Sequence, residues 1–273
     1  MTEDFELTVA RDNNTPNTLD LEKALESKYR IITRIGSGGF ADVYLGEQLL
    51  LSRKVGIKIL HAHYARQADL LKRFEREARS AASLSHPNII DIYDVGESQG
   101  IHYIVMKFID GETLNQRMHR EGILPVPVSI HIIRQLAEAL DYAHTNNVIH
   151  RDIKPANMMV TSAGQIKVLD FGLAKTMRPK QGSALTDDSI SHLSQTDLLA
   201  GTVAYMSPEQ LRGERLDFRT DIFSLGTVLL EMISGINPFA RGSEAETISA
   251  ILTADPSGIN GHSANSKTLT RLA

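Results

Sequence analysis

Residues 150–157 place one acid, two cations and one carboxamide close together in the sequence. Pro155 fixes its own φ and has no N–H group, which is atypical of a helix interior. The polar composition is also atypical of a core strand, so we predict a rigid loop that holds these groups at set separations. In such a loop Asp152 can accept a proton from a hydroxyl, Asn157 can offer an oxygen to a divalent metal, and Lys154 can reach a transferred phosphate.

A glycine-rich segment lies upstream between two predicted strands. Residues 29–35 and 43–45 are β-rich, and between them lie Gly36, Gly38 and Gly39. A dinucleotide-binding motif would open a helix, whereas here a strand follows, so we predict a hairpin. Glycines allow backbone N–H groups to approach phosphate oxygens without a Cβ clash. An ordinary tight hairpin is the alternative interpretation of this stretch.

A lysine and an acid follow on the next two predicted elements. Residues 55–60 form an apolar strand that contains Lys58, and residues 65–84 carry apolar side chains at the three- and four-residue steps of an amphipathic helix. One hypothesis pairs Glu77 on this helix with Lys58. The alternatives are a solvated lysine and a surface pair of Glu77 with Arg73.

The rest of the pattern predicts strands over 89–94, 101–108, 158–160 and 166–169, and helices over 112–118, 126–146, 217–233 and 244–252. Asp170 ends the last of these strands and precedes Phe171 and Gly172, an arrangement that suits a metal ligand on a movable hinge. Residues 175–200 are long, polar and rich in serine and threonine, which is typical of a functional or disordered loop.

The ordered set of motifs resembles the protein kinase family. The resemblance rests on the His150-Arg151-Asp152 to Asn157 pattern, the glycine hairpin, Lys58, Asp170-Phe171-Gly172 and Ser207-Pro208-Glu209, and it covers roughly residues 29–254. The sequence departs from the family pattern at Ala41, which replaces the third glycine, and at Gly56, which replaces an alanine and is expected to enlarge the adenine pocket. The nearest relatives look like bacterial eukaryotic-like (Hanks-type) serine/threonine kinases.

This resemblance implies an α+β, two-lobed fold. Residues 29–108 would form an N-lobe with an antiparallel five-stranded sheet and one helix. Residues 109–273 would form a mainly helical C-lobe that lacks its last helices. Residues 1–28 would be a flexible leader with a helical turn around 19–25.

The resemblance also implies roles for individual residues. Catalysis would fall to Asp152, Lys154, Lys58 and Glu77, and Asp221 would bind the backbone of the 150–157 loop. Mg²⁺ (or Mn²⁺) would be held by Asn157 and Asp170. ATP would contact Ile35, Gly36, Ser37, Gly38, Gly39, Phe40, Val43, Gly56, Lys58, Met106, Lys107, Ile109, Asn157, Met159 and Asp170.

The implied reaction is transfer of the ATP γ-phosphoryl group to serine or threonine hydroxyls of protein substrates. Arg151 next to Asp152 suggests control by phosphorylation of the long polar loop, in which the candidates are Thr186, Ser189, Ser191, Ser194 and Thr196. A homodimer would allow such phosphorylation in trans. The alternatives are an ATP-binding pseudokinase, inactive through truncation, and a small-molecule phosphotransferase of related fold.

Composition sets wider bounds. The 273 residues are 42% hydrophobic and 23% charged, as in globular proteins, and the net charge of −4 gives no reason to expect nucleic-acid binding. The absence of cysteine excludes disulfides and thiolate metal sites. His61 and His63 have no third ligand nearby in sequence, so we interpret them as polar surface. We find no signal peptide and expect a cytoplasmic protein, while a membrane segment beyond residue 273 stays open.

Overall fold

The computed structural model describes residues 18–171 and 202–253. Within these ranges the chain forms two compact units. The first contains residues 18–72 and 94–108, and the second contains residues 73–93, 109–171 and 202–253. The predicted division after residue 108 placed residues 73–93 with the first unit. In the structure these residues cluster with the second unit, whose core includes Ala81, Leu84 and Ile89, and the lobe boundary after residue 108 stays a prediction.

The first unit is built on a five-stranded sheet in the order β1-β2-β3-β5-β4. Its strands are β1 (Tyr29–Ser37), β2 (Ala41–Gln48), β3 (Arg53–Leu60), β4 (Ile92–Ser98) and β5 (Ile101–Lys107). The β1–β2, β2–β3 and β3–β5 pairs are antiparallel. Alternating apolar positions such as Ile57 and Ile59 are fully buried, which explains the register of the central strand. The predicted α+β class and five-stranded sheet are confirmed.

A helix precedes the sheet. Residues Thr18–Leu25 form α1, in which Leu21 and Leu25 are buried. The Ser98 hydroxyl donates to the Ala24 carbonyl at 2.7 Å, so the helix is tied to the far strand of the sheet. The helical turn predicted around residues 19–25 is present as a full helix, because two leucines one turn apart supply enough apolar surface to pack it. Residues 1–17 lie outside the described part of the chain.

The second unit is mainly helical. Its helices are α4 (Leu114–Glu121), α5 (Val126–Thr145), α6 (Pro208–Arg212), α7 (Arg219–Ser234) and α8 (Glu244–Thr253). Its small sheet has the order β6-β7-β8, with β6 (Gly111–Thr113), β7 (Met158–Thr161) and β8 (Ile166–Val168). The apolar stripe of α5, including Leu136 and Leu140, lies in the core with Met232 of α7. No helix of the described ranges is long and apolar enough to span a bilayer.

Three predicted elements differ from the structure. The helix expected over 65–84 is α3 (Ala68–Ala82), and a separate short helix, α2 (Ala62–Ala65), precedes it because the chain turns at Gln67. Of the strand expected over 89–94, residues 89–91 lie outside the five-stranded sheet, and Ile90 instead donates to the Val168 carbonyl at 3.0 Å. The helix expected over 112–118 begins at Leu114, because Thr113 pairs with Met159 as a strand and then caps the helix.

Candidate active site

The backbone of the 150–157 loop is hydrogen-bonded to a buried acid. The Asp221 side chain is fully buried in the first turn of α7. Its Oδ2 accepts the backbone N–H of His150 at 2.8 Å, and its Oδ1 accepts that of Arg151 at 2.7 Å. His144 Nε2 on α5 lies 2.8 Å from Oδ2. The expected bond between Asp221 and the loop backbone is therefore confirmed.

The imidazole of His150 links the loop to the segment before Asp170. The backbone N–H of Asp152 donates to His150 Nδ1 at 3.2 Å, so the ring proton lies on Nε2, which donates to the Leu169 carbonyl at 2.8 Å. The ring also packs on Phe171, with centroids 4.6 Å apart. His150 is fully buried and thus fixes two acid-bearing segments relative to each other.

Asp152 is the centre of a short network of charged and polar groups. Its carboxylate is only 5% exposed, and Oδ2 lies 3.0 Å from Lys154 Nζ and 2.9 Å from Asn157 Nδ2. Lys154 Nζ also donates to the Thr202 hydroxyl at 3.0 Å. A carboxylate held in this way can receive a proton from a substrate hydroxyl, while the neighbouring ammonium can neutralise a phosphate.

Asn157 and Asp170 carry side-chain oxygens that could hold a divalent cation. Pro155–Asn157 form a 3₁₀ turn, and the Asn157 carbonyl accepts the backbone N–H of Leu169 at 2.9 Å, which holds the residue before Asp170 against the loop. Within the described residues, the Asn157 carboxamide hydrogen-bonds to Asp152 through Nδ2, so Oδ1 is the atom suited to a cation. Asp170 has a left-handed backbone with φ of 54°. Amide and carboxylate oxygens are ligands that Mg²⁺ prefers, and the two residues fit that ion.

No group of three or more His, Asp or Glu side chains in the described part of the chain could hold a metal ion. Mg²⁺ commonly takes one or two protein oxygens and completes its coordination with water and substrate phosphate. A two-residue site on Asn157 and Asp170 is consistent with this preference.

In the first unit, the glycine segment forms the predicted hairpin between β1 and β2. The Gly38 N–H donates to the Ala41 carbonyl at 3.0 Å and closes the turn. A Cβ on Gly38 would lie 3.3 Å from that carbonyl, whereas one on Gly39 would meet nothing within 4 Å. Phe40 at the tip contacts the ring of Tyr64, with centroids 4.8 Å apart. The hairpin thus has a fixed base and room at its tip.

Lys58 and Gly56 lie on the central strand of the same sheet. Lys58 pairs with Val43 on β2 and with Ile104 on β5, and Gly56 pairs with Met106. A Cβ on Gly56 would lie 3.2 Å from Met106 Cγ. Met106 therefore lies close to the position that an alanine methyl group would occupy, and the enlarged pocket expected at Gly56 stays a prediction.

The structure brings together some of the predicted site residues within each unit. The second unit joins Asp152, Lys154 and Asn157 directly, and Asp170 through its neighbour Leu169. It also contains Ile109 and Met159. The first unit contains Ile35, Gly36, Ser37, Gly38, Gly39, Phe40, Val43, Gly56, Lys58, Met106 and Lys107. The Glu77 side chain, Gly172 and the serine and threonine candidates at 186–196 lie outside the described part, so the Lys58–Glu77 pair stays a prediction.

Two residues of the site were missed at the level of sequence. His144 has no local signal, because its contact with Asp221 spans 77 positions. Gln210 follows Ser207 by three residues, which is the spacing of a capping box, and this signal could have predicted α6. The structure shows that box, and it also shows that Gln210 Nε2 donates to the Arg151 carbonyl at 2.8 Å.

Comparison with known proteins gives consistent matches. A family model described as "Protein kinase domain" matches residues 29–268. The chain is 43% identical over 217 residues to serine/threonine-protein kinase PrkC of Bacillus subtilis. The aligned region covers 80% of this chain and 32% of that protein. It is 39% identical over 236 residues to serine/threonine-protein kinase PknB of Mycobacterium leprae, covering 85% and 36% of the two chains.

A third relative is the probable serine/threonine-protein kinase PknB of Lactococcus lactis. It is 40% identical over 247 residues, or 87% of this chain and 38% of that protein. The matched region thus spans between 32% and 38% of the length of these three relatives.

Proposed function

Because the chain belongs to the protein kinase domain family, we propose that it transfers the γ-phosphoryl group of ATP to serine or threonine hydroxyls of protein substrates. The names of its relatives support this class of acceptor. The observation that carries the proposal is the buried Asp152 carboxylate, which lies within 3.0 Å of the Lys154 ammonium and 2.9 Å of the Asn157 amide.

In the proposed reaction the substrate hydroxyl oxygen forms a bond to the γ-phosphorus as the bond to the β-phosphate oxygen breaks. Asp152 orients the hydroxyl and accepts its proton, and ADP leaves. Lys154 neutralises charge on the transferred group. The protein contributes positioning and charge stabilisation, and the bracing of the loop by Asp221 is what keeps the Asp152 carboxylate in place.

The nucleotide contacts are proposed from membership of the kinase family. In the first unit, the backbone N–H groups around Gly36, Gly38 and Gly39 would cover the phosphates, and Lys58, paired with Glu77, would bind the α- and β-phosphates. Main-chain groups near Lys107 and Ile109 would bind the adenine, beside Met106. Asn157 and Asp170 would hold Mg²⁺ or Mn²⁺. The bound ion would neutralise negative charge on the phosphate oxygens.

Radiolabelled ATP and a generic basic protein substrate test the proposal. We expect Mg²⁺-dependent labelling by the chain and a loss of about a hundredfold or more for Asp152→Asn, because general-base and orienting contributions of this size are typical. Asp141→Asn is the matched control, since Asp141 is exposed on α5. Equal labelling by the wild-type chain and Asp152→Asn would refute the mechanism.

The cation site has its own test. Chelation of divalent ions should abolish transfer, and added Mg²⁺ or Mn²⁺ should restore it. Asn157→Ala should raise the Mg²⁺ concentration needed for half-maximal rate, because one of two protein oxygens is lost. Binding of Mn²⁺, followed by the proton relaxation of water, gives a readout that does not depend on turnover. An unchanged metal requirement in Asn157→Ala would remove this residue from the site.

We also propose that the chain phosphorylates its own 175–200 segment in trans, within a homodimer, in the cytoplasm where ATP is supplied. The support is compositional: Arg151 lies beside Asp152, and the segment is rich in serine and threonine. The test mixes the active chain with a longer, inactive Asp152→Asn chain. Phosphate on Thr186, Ser189, Ser191, Ser194 or Thr196 of the inactive copy would support the proposal, and its absence would count against it.

A further inference from the structure

Gln210 is a buried polar residue to which the mechanism above gives no role. It lies in the first turn of α6 and is 5% exposed. Its Oε1 accepts the backbone N–H of Ser207 at 2.9 Å, and its own N–H donates to the Ser207 hydroxyl at 3.3 Å. These two bonds form the capping box of α6. Its remaining polar atom, Nε2, points away from the helix and donates to the Arg151 carbonyl at 2.8 Å.

The acceptor of this bond belongs to the peptide group that carries Asp152. The carbonyl of Arg151 accepts from Gln210, and the N–H of the same peptide group donates to His150 Nδ1 at 3.2 Å. Rotation of the peptide group would break both bonds. Since the Cα of Asp152 is attached directly to this group, the direction of its carboxylate depends on both contacts.

The residue before that peptide group needs such support. Arg151 has a left-handed backbone with φ of 67°, a conformation that residues other than glycine rarely adopt. Asp221 holds its N–H from one side, and Gln210 holds its carbonyl from the other. The backbone of Arg151 is thus fixed at both of its polar atoms by side chains more than 50 positions further along the chain, at separations of 70 and 59.

The two anchors are themselves connected. The Ser207 hydroxyl, which caps α6, hydrogen-bonds to the Thr220 hydroxyl, and Thr220 immediately precedes Asp221. All of these residues are fully or nearly fully buried. The cap of α6 and the start of α7 therefore act on the loop as one assembly.

We propose that Gln210 is a positioning residue for Asp152, which couples the 202–212 segment to the 150–157 loop through the Arg151 carbonyl. The kinetic part of this inference rests on the proposed phosphoryl transfer. The carboxamide is needed because one residue must accept from Ser207 and donate to Arg151 at the same time. A glutamate could complete the capping box equally well, but its carboxylate has no proton to donate to the carbonyl.

Gln116 provides a matched comparison within the same unit. It forms the same capping box on α4, with Thr113 as the cap, and its Oε1 accepts the Thr113 N–H at 2.8 Å. It is exposed and contacts neither the 150–157 loop nor Asp221 through a described hydrogen bond. Gln135 is a second control for burial, because its side chain hydrogen-bonds to Asn88, Ile166 and Gly164 inside the core, and none of its described hydrogen bonds reaches Arg151.

The kinetic test compares Gln210→Glu and Gln210→Met with Gln116→Glu and Gln135→Glu. Both Gln210 variants should lower kcat by about ten- to a hundredfold, because small misplacements of a catalytic group have effects of this order. KM for ATP should change less than twofold. Gln116→Glu should leave both parameters unchanged, and Gln135→Glu should lower the melting temperature but not kcat. A kcat within twofold of wild type in both folded Gln210 variants would overturn the proposal, and so would failure of both to fold.

Hydrogen exchange tests the contact without reference to activity. In Gln210→Met the amide of Asp152 should exchange about tenfold faster or more, while the amide of Val168, bonded to the Asn88 carbonyl, serves as the internal reference. Gln116→Met should leave Asp152 exchange unchanged. If the wild-type chain shows no transfer, the proposed function fails, and this measurement still decides the role of Gln210. Unchanged exchange at Asp152 would refute that role.

Discussion

Asp221 accepts the backbone N–H of Arg151 across 2.7 Å, although the two residues are 70 positions apart. Arg151 has a left-handed backbone, which costs on the order of 1–3 kcal/mol for a residue that is not glycine. A hydrogen bond to a buried carboxylate contributes a comparable amount, about 1.5–3 kcal/mol. The strained backbone at Arg151 in the 150–157 loop is therefore stabilised by an acid on helix α7.

The first prediction concerns Asp221→Asn. The substitution replaces one acceptor oxygen by an NH₂ group that faces backbone or imidazole N–H groups, so we expect a loss of about 2–4 kcal/mol in the free energy of unfolding. Urea denaturation measures this loss. Asp217→Asn is the control, because Asp217 pairs with Arg219 at the exposed surface and its replacement should change stability little. Equal midpoints for the two variants would contradict the bracing role.

The second prediction contrasts two glycines of the second unit. Gly226 lies inside α7, and a Cβ there would meet nothing within 4 Å, so Gly226→Ala should stabilise the protein by about 0.5–1 kcal/mol. Gly111 pairs with Thr161, and a Cβ there would collide with the Val160 carbonyl. Gly111→Ala should therefore destabilise by about 1–3 kcal/mol. Thermal denaturation should show a higher melting temperature for Gly226→Ala and a lower one for Gly111→Ala. Melting temperatures that shift in the same direction would be inconsistent with this packing.

The third prediction is a pH dependence at Glu231. Burial raises the pKa of Glu231, and its hydrogen bonds from Tyr205 (2.6 Å) and Asn237 (3.4 Å) offset part of that increase. Burial also raises the pKa of Tyr205. Because the pKa of Glu231 is higher in the folded than in the unfolded chain, its favourable contribution is complete below the unfolded pKa and is lost as pH rises through the folded pKa.

Glu231→Gln should remove this loss while keeping an acceptor for Tyr205. The variant should gain stability relative to wild type at neutral pH, and the gain should disappear in acid, where both side chains are uncharged. Unfolding free energies of both proteins across pH 4–8 provide the measurement. Tyr205→Phe is the companion variant and should be less stable at neutral pH, because the ionised Glu231 then loses its closest donor. A gain for Glu231→Gln that is independent of pH would exclude ionisation as its cause.

Sequence periodicity and motif order predicted the parts of this fold that depend on local pattern. The four- and three-residue spacing of apolar side chains predicted a helix over 126–146, and α5 spans Val126–Thr145. The strand, glycine turn, strand order predicted the hairpin that Gly38 closes. Asp152, Lys154 and Asn157 were identified as one cluster because they lie within six residues of one another, and the structure confirms their contacts.

The elements that were missed depend on distant partners. Residues 111–113 form a strand only because Thr113 pairs with Met159, 46 positions away in sequence. The sequence predicted only a helical turn where α1 forms, and its full length is held by contacts such as the bond between Ser98 and Ala24, at a separation of 74 positions. The contact of Gln210 with Arg151 spans 59 positions. Local propensity carries no information about such pairs, which only tertiary packing establishes.

The fourth prediction concerns Thr202, whose hydroxyl accepts from Lys154 Nζ at 3.0 Å, while that ammonium also lies 3.0 Å from Asp152 Oδ2. Thr202→Val removes the hydroxyl at nearly constant volume, so Lys154 loses one of its two oxygen contacts in this network and kcat should fall about tenfold, the effect of one charge-assisted hydrogen bond. Thr202→Ser keeps the hydroxyl and should retain most of the activity. Steady-state kinetics with a basic protein substrate measure both variants. A loss in Thr202→Ser as large as that in Thr202→Val, or an unchanged kcat in Thr202→Val, would contradict the prediction, because only the valine variant lacks the hydroxyl that contacts Lys154.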